Sequence, residues 1–385
     1  MALARPARGS GIGGPRCGGG CRARLFSAGL PFVSDPLLIS LLNALSVGLL
    51  LFMLAAGLSL ILGLMGVLNM AHAGFYLLGA YAGHALTAPL GYVGALMVAP
   101  VLVGLLGAAL HGPLLRPRRA AAGPRAHAAD LLVTWGLGLL LVEAVQLIWG
   151  RSPLATPLPE LLQAPAFTLL RDAPGHRQIW AGAAPAAACA AGGCIAFPAS
   201  RVLVMGVALT LAAALWLFLR HTRSGLIVQA ALTHPQMVAA LGHDVTAVQR
   251  RVFGLGCAMA ALAGAISGSL FTVEPSLATQ LGPLLFVVLV IGGSGSLAGA
   301  LLGSLLVGAL QTLPLAFDLR LADLLAWLPG MPPIGPQTPL WSVWRLGLPQ
   351  LAGVMPYLMM IAVLVWRPHG LLAATGLKTG EDGTR

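Results

Sequence analysis

The chain has 385 residues, of which 58% are hydrophobic and only 9% are charged, whereas soluble domains carry roughly a quarter charged residues. With a mean hydropathy of +0.88, it has too few charges to cover a water-soluble protein of this size, so soluble enzyme folds are excluded. The net charge of +11 would suggest a nucleic-acid partner in a soluble protein, but here the arginines flank apolar runs and indicate membrane orientation. The runs lack the alternation of an outer-membrane barrel. They predict an all-α, polytopic membrane bundle with about eight transmembrane helices.

Residues 1–35 form a basic Gly/Arg-rich head, which we interpret as disordered. It carries five arginines and no acid before Asp35, and it lacks the apolar core and cleavage site of a signal peptide. The sequence leaves open whether this head is translated and on which side of the membrane it lies.

A membrane domain is predicted over 36–372, followed by a cytoplasmic tail over 373–385. Its apolar runs cover, in chain order, 37–64, 75–85, 93–110, 131–149, 202–219, 253–271, 281–291, 297–313 and 351–366. Connections 150–200 and 314–348 have balanced charges and are predicted outside, whereas the arginine-rich segment 220–251 is predicted to be cytoplasmic. With these assignments three crossings precede the basic loop after residue 110, which would leave the basic head outside. The alternative is that the stretch around Asn69 and His72 is re-entrant and is not a full crossing.

The five cysteines show no metal-binding spacing, and no metal or other cofactor is predicted for this chain. Cys189 and Cys194 lie in a predicted external connection and could pair if that side is oxidising. Cys257 lies in a span, where it is expected to pack as a small apolar residue.

Two polar features inside the spans are candidates for a solute path. Asn69 and His72 are three residues apart and share a helix face. They either line a path or hinge, or they form hydrogen bonds between helices. Glu143 is the acid that lies deepest in a predicted span, and it either contacts solute or forms a structural bond. With Asn43 in the first span, these residues are the candidate translocation path.

Glycines at regular spacing predict close helix packing. The run VIGGSGSLAGALLG contains a turn followed by a small residue at every fourth position, and AALAGAISGSL repeats the pattern. The packing glycines predicted in this way are Gly264, Gly268, Gly292, Gly293, Gly295, Gly299 and Gly303.

A short amphipathic helix is predicted in the cytoplasmic segment. Pro235 suits its first turn and Gly242 suits its end. Between them Met237, Val238 and Leu241 form a short apolar face, which suits a groove on a partner protein or the membrane surface.

The chain has no P-loop, so it is not expected to hydrolyse ATP by that mechanism. Ser294 in a G-x-S-G fragment and His72 in an A-H-x-G fragment are reminiscent of rhomboid intramembrane proteases. Rhomboids place the serine before that histidine, the reverse of the order here, and no enzyme activity is predicted.

Taken together, the motifs LGLMGVLNMAHAGFYLLGAY, HPQMVAALGHDV, VIGGSGSLAGALLGSLLVG and YLMMIAVLVWRPHGL resemble the membrane permeases of branched-chain amino-acid ABC importers. The likeness covers about 37–372, apart from much of 150–200 and 314–348, and is closer to the H-type than to the M-type subunit. It implies a multi-pass protein of the bacterial inner membrane that transports branched-chain amino acids or similar small polar solutes.

The resemblance also implies partners: a second related permease, two ATPase subunits that bind ATP, and an external solute-binding protein. Residues 224–242 would couple the permease to the ATPase, with Gly225, Pro235, Met237, Val238, Leu241 and Gly242 as the coupling residues. The usual Asn-Pro-Glu is His234, Pro235 and Gln236 here, so helix capping is weaker. A stand-alone secondary transporter is the alternative; the sequence leaves open the solute and whether the permease pair is a homodimer.

Overall fold

The computed structural model describes residues 30–66, 68–115, 124–171, 177–184, 189, 194–293, 295–317, 320, 344–368 and 370–372. Within these ranges five helices are long and apolar enough to cross a membrane. This confirms a helical membrane protein, while the number of eight spans stays a prediction. Most of the basic head, the tail 373–385, Cys17, Cys21, Ser294 and the basic loop 116–123 lie outside the described residues.

Three long helices open the fold: α1 (Leu30–Met65), α2 (His72–Leu115) and α3 (Pro124–Trp149). The predicted runs 75–85 and 93–110 both fall in α2, which bends at Gly91, a residue with φ of 72°. Left-handed backbone of this kind favours glycine, because a Cβ would clash with the neighbouring peptide. The two halves of α2 pack on the same later helix in opposite directions, so the chain reverses at Gly91.

A small sheet follows α3, where the sequence predicts only a long connection. The short helix α4 (Glu160–Gln163) leads into β1 (Pro165–Arg171), β2 (Arg177–Ala181) and β3 (Cys194–Pro198). The strand order is β2-β1-β3 and both pairings are antiparallel. Phe167 and Phe197 stack with ring centroids 5.2 Å apart. The fold is therefore all-α only in its membrane part.

The remaining elements are α5 (Ala199–His221), α6 (Arg223–Thr233), α7 (Pro235–Ala240), α8 (Val245–Ser267), α9 (Ser276–Gly292), α10 (Leu297–Thr312), a 3-10 turn (Leu313–Ala316), α11 (Leu348–Leu351) and α12 (Met355–Trp366). One end of the bundle carries the sheet and is called the sheet end. The opposite end carries the two short helices α6 and α7 and is called the α6–α7 end.

The direction of α1 follows from its neighbours. Gly63 lies against Leu232 of α6 and Gly295, whereas Gly48 lies against Leu305 in the later part of α10. Helix α1 therefore runs from the sheet end towards the α6–α7 end. This agrees with the odd number of crossings that the sequence predicts before the basic loop.

The end of the described chain is bound to the last turn of α9. The backbone N–H of Leu371 donates to the carbonyl of Ile291 (2.8 Å), and that of Leu372 donates to the carbonyl of Gly292 (3.0 Å). We call residues 370–372 the C-terminal clasp. It closes the bundle at the α6–α7 end.

Cys189 and Cys194 form a disulfide at the sheet end, with Cα atoms 5.3 Å apart, and Cys257 is buried and reduced. We expect a membrane-impermeant maleimide to label two thiols in intact cells only after reduction, in a variant whose Cys17 and Cys21 are serine. The reason is that disulfides persist on the oxidising side of the membrane. Mass spectrometry of the labelled protein is the measurement, and labelling before reduction would contradict the pairing.

Candidate functional site

The chain between α1 and α2 is an extended, re-entrant segment. The Nε2–H of His72, the first residue of α2, donates to the carbonyl of Leu54 (3.0 Å), a residue in the middle of α1. The Met70 N–H donates to Thr134 Oγ1 (3.2 Å), and Thr134 Oγ1 donates to the Leu68 carbonyl (3.4 Å). The chain thus returns from the end of α1 to mid-depth before α2 begins. The sequence raised a re-entrant stretch near Asn69 as the alternative to a full crossing. The stretch reaches mid-depth and then continues into α2 towards the sheet end, so it forms part of a crossing and the number of crossings before the basic loop stays odd.

Asn69 and His72 hold this segment in place. Both are buried, and Asn69 Oδ1 accepts the N–H of Ala71 (3.1 Å), which shapes the start of α2. Asn69 Nδ2 and His72 Nδ1 are buried without a hydrogen-bond partner. An unpaired polar atom at this depth lowers the free energy of unfolding. These two side chains therefore position the re-entrant segment at some cost in stability.

An apolar groove lies beside the re-entrant segment. Its volume is about 540 Å³, and it is bounded by α2, α3, α9 and α12. Its walls include Met70, Ala73, Gly138, Gly282, Phe286 and Tyr357. The volume is within the range of roughly 300–1,000 Å³ found for small-molecule sites.

The four predicted path residues are not brought together. Asn43 lies half-buried towards the sheet end of α1, and Glu143 is exposed on α3. Asn69 and His72 lie behind the groove, and their neighbours Met70 and Ala73 line it instead.

A polar cluster at the sheet end of α9 escaped the sequence analysis. Glu274 is half-buried and accepts a hydrogen bond from the hydroxyl of Ser276, and its chain neighbour Val273 packs with Tyr81 in one apolar cluster. Gln280 Nε2 donates to Ser276 Oγ (3.1 Å). A glutamate between two predicted spans, next to Pro275, was the available signal.

The turn between α5 and α6 is tight. Thr222 Oγ1 donates to the Phe218 carbonyl (2.6 Å) and accepts the Gly225 N–H (2.9 Å) as the N-cap of α6. A Cβ on Gly225 would lie 2.1 Å from the Phe218 carbonyl oxygen. Gly225 therefore allows the backbones of α5 and α6 to meet.

Helix α7 presents two large apolar side chains to solvent. Met237 is 66% exposed and Leu241 is 78% exposed, whereas Val238 is only 3% exposed and packs against the bundle. The single apolar face predicted from the sequence is therefore divided, because adjacent helical residues differ by about 100° in direction. Pro235 occupies the first turn, and Gly242 ends the helix with φ of 86°.

Helices α7 and α8, at the α6–α7 end, differ in how their N-termini are capped. His234 precedes α7 without a side-chain capping bond. Asp244 caps α8, since its carboxylate accepts the N–H groups of Thr246 (2.9 Å) and Ala247 (3.1 Å). Arg220 lies over the Trp216 ring at 5.3 Å. The short helices are thus held between two well-defined helix ends.

The predicted packing glycines lie where backbones meet. A Cβ on Gly264 would lie 2.0 Å from the Tyr76 carbonyl oxygen, and one on Gly292 would lie 2.2 Å from the Gly299 carbonyl oxygen. Gly303 lies against Val288 in the same hairpin. These contacts join α2 to α8 and α9 to α10.

The other predicted glycines serve turns and the sheet end. Gly293 and Gly295 have φ of 99° and 78° in the turn between α9 and α10. Gly268 lies against Thr156 in the connection after α3, where a Cβ would be 2.7 Å from the Thr156 hydroxyl.

Comparison with known proteins gives a consistent result. Residues 40–364 match the family described as branched-chain amino acid transport system / permease component. The chain is 24% identical over 290 residues to the high-affinity branched-chain amino acid transport system permease protein LivH of Escherichia coli, covering 71% of this chain and 85% of LivH. It is 26% identical over 282 residues to the corresponding protein BraD of Pseudomonas aeruginosa, covering 70% and 84% of the two chains.

A solved structure, PsaBC from Streptococcus pneumoniae in complex with Fab, is similar with a TM-score of 0.35 and 11% identity, covering 87% of this chain and 92% of that chain.

Proposed function

Because this chain belongs to the family of permease components of branched-chain amino acid transport systems, we propose that it is the membrane permease subunit of an ATP-binding-cassette importer. It provides part of the path for branched-chain amino acids or similar small polar solutes across the bacterial inner membrane. About eight crossings are proposed, counting the first half of α2 as a partial one.

The observation that carries this proposal is helix α7. Two exposed apolar side chains, Met237 and Leu241, stand on a short helix that the buried Val238 anchors to the bundle. Large apolar groups exposed at the end of a protein mark an interaction site when they protrude together. We assign this surface to the ATPase, so that movement of the ATPase is transmitted through α7 and α6 into the bundle.

The groove beside the re-entrant segment is the proposed half of the path in this subunit. Trp135, Leu139 and Phe286 line it and are partly exposed. A second related permease would cover this open side. In this arrangement Asn69 and His72 position the re-entrant segment, while Asn43 and Glu143 are proposed to lie along the route towards the sheet end.

We expect the tagged chain, purified in mild detergent from its own host, to bring down a P-loop ATPase and a second permease. Reconstituted with an external binding protein, the complex should take up radiolabelled leucine, isoleucine or valine only when ATP is present. Mass spectrometry and filter-binding uptake assays are the measurements. Uptake by the isolated chain, driven by an ion gradient, would instead identify a secondary transporter.

A further inference from the structure

The sheet end of the groove contains an acidic side chain without a charged partner. No described residue forms an ion pair with Glu274, and only the Ser276 hydroxyl donates to its carboxylate. A half-buried carboxylate normally gains a cationic or hydrogen-bonding partner, since desolvation penalises an uncompensated charge. Glu274 is therefore poorly compensated within the chain.

A second polar group nearby also lacks a partner. The hydroxyl of Tyr81 is buried and makes no hydrogen bond, although its ring packs on Trp149 with centroids 5.5 Å apart. Buried hydroxyls are nearly always satisfied, so an unpaired one indicates a position where a ligand group can bind. Tyr81 packs in one apolar cluster with Val273, the residue directly before Glu274, so the two polar groups lie in the same part of the sheet end.

This pair lies near the sheet end of the apolar groove. Glu274 lies two residues before α9, and Ala278, Gly282 and Phe286 recur at four-residue intervals on one side of that helix, where they line the groove. On α2, Ala73 lines the groove while Tyr81 lies two turns further towards the sheet end, and both pack in one apolar cluster with Ala278. An acidic group and an unpaired hydroxyl thus lie at the sheet end, next to residues that line the groove.

We propose that Glu274 and Tyr81 form an entry site that binds the ammonium group of a zwitterionic amino acid, whose apolar side chain then enters the groove. The carboxylate accepts a charge-assisted hydrogen bond from the ammonium, and the Tyr81 hydroxyl oxygen accepts a second one. The site selects ammonium-bearing solutes with an apolar side chain over neutral amides. This inference rests on the proposed importer function and adds its recognition residues.

The test uses the reconstituted importer with L-leucine and saturating binding protein. In Glu274→Gln the amide oxygen can still accept from Ser276, but the charge is lost. We expect the maximal uptake rate to fall about tenfold, the factor for one charge-assisted hydrogen bond, while half-saturation by the binding protein and Tm stay unchanged. Glu274→Asp should retain most of the rate. Glu160→Gln, an exposed acid at the same end, is the matched control and should transport normally.

A second variant separates binding from folding. Tyr81→Phe removes a hydroxyl that has no partner in the protein, so a structural role predicts unchanged or higher Tm and normal uptake. The entry site predicts uptake lowered about threefold with Tm unchanged or raised. Wild-type uptake in Glu274→Gln would overturn the entry site, and so would equal losses in the Gln and Asp variants with a lowered Tm. If the wild-type complex takes up no branched-chain amino acid, the importer proposal itself fails.

Discussion

Glutamate at both Met237 and Leu241 is expected to abolish solute uptake while membrane insertion and folding are retained. The two side chains are 66% and 78% exposed, so the free protein loses little packing when they change. When an ATPase covers α7, each carboxylate would be buried without a partner, at about 2 kcal/mol or more. Uptake should therefore fall roughly a hundredfold or more, as measured with radiolabelled leucine in proteoliposomes.

The same substitution at the opposite end provides the control. Leu161 is 81% exposed on α4, and Leu161→Glu should leave ATPase binding unchanged. Co-purification of the ATPase with each variant locates the defect. Normal uptake by the Met237→Glu/Leu241→Glu protein would remove the assignment of α7 as the coupling helix.

Leucine at Gly264 is expected to prevent correct folding of the bundle. A Cβ at this position would lie 2.0 Å from the Tyr76 carbonyl oxygen and 2.9 Å from the Ala80 nitrogen. Both atoms belong to the backbone of α2, so neither can move without displacing that helix. Overpacking in a tight core costs about 1–3 kcal/mol or more. We expect folded protein, measured by size-exclusion chromatography in detergent, to fall at least about tenfold, because the full side chain must displace α2.

Gly206 in α5 is a matched control for this substitution, since nothing lies within 4 Å of a Cβ built there. Gly206→Leu changes hydrophobicity and helix propensity in the same way without the clash. A normal elution profile for both variants would show that α2 and α8 do not need backbone contact at Gly264.

Local signals account for the features that the sequence predicted well. Pro235 and Gly242 bound α7 because each has a backbone preference that acts within one turn. The apolar runs located most long helices within a few residues, for example 202–219 within Ala199–His221. The family resemblance is confirmed by the match over 40–364.

Features that depend on distant residues were harder to predict. The depth of the re-entrant segment is set by bonds from His72 to Leu54 and from Met70 to Thr134, and neither pairing follows from periodicity. The sheet of 165–198 was missed because its strands are short and include proline and alanine, which weaken the strand signal.

The candidate site shows the same limit. Asn69 and His72 stood out as polar groups in an apolar run, but their positions behind the groove depend on how α1, α2 and α3 pack. Glu274 was overlooked because it lies between runs, where a charge is unremarkable in sequence. Its interest arises only from the packing of Tyr81 and the groove below it.

The C-terminal clasp has a practical consequence for engineering this protein. Leu371 and Leu372 are hydrogen-bonded to the last turn of α9, and the turn that follows α9 adjoins α6 through Gly63 and Leu232. A fluorescent reporter joined directly to Leu372 would emerge beside the surface proposed for the ATPase and compete for that space. A reporter that replaces residues 373–385 therefore needs a long flexible spacer, or an insertion point in a loop at the sheet end.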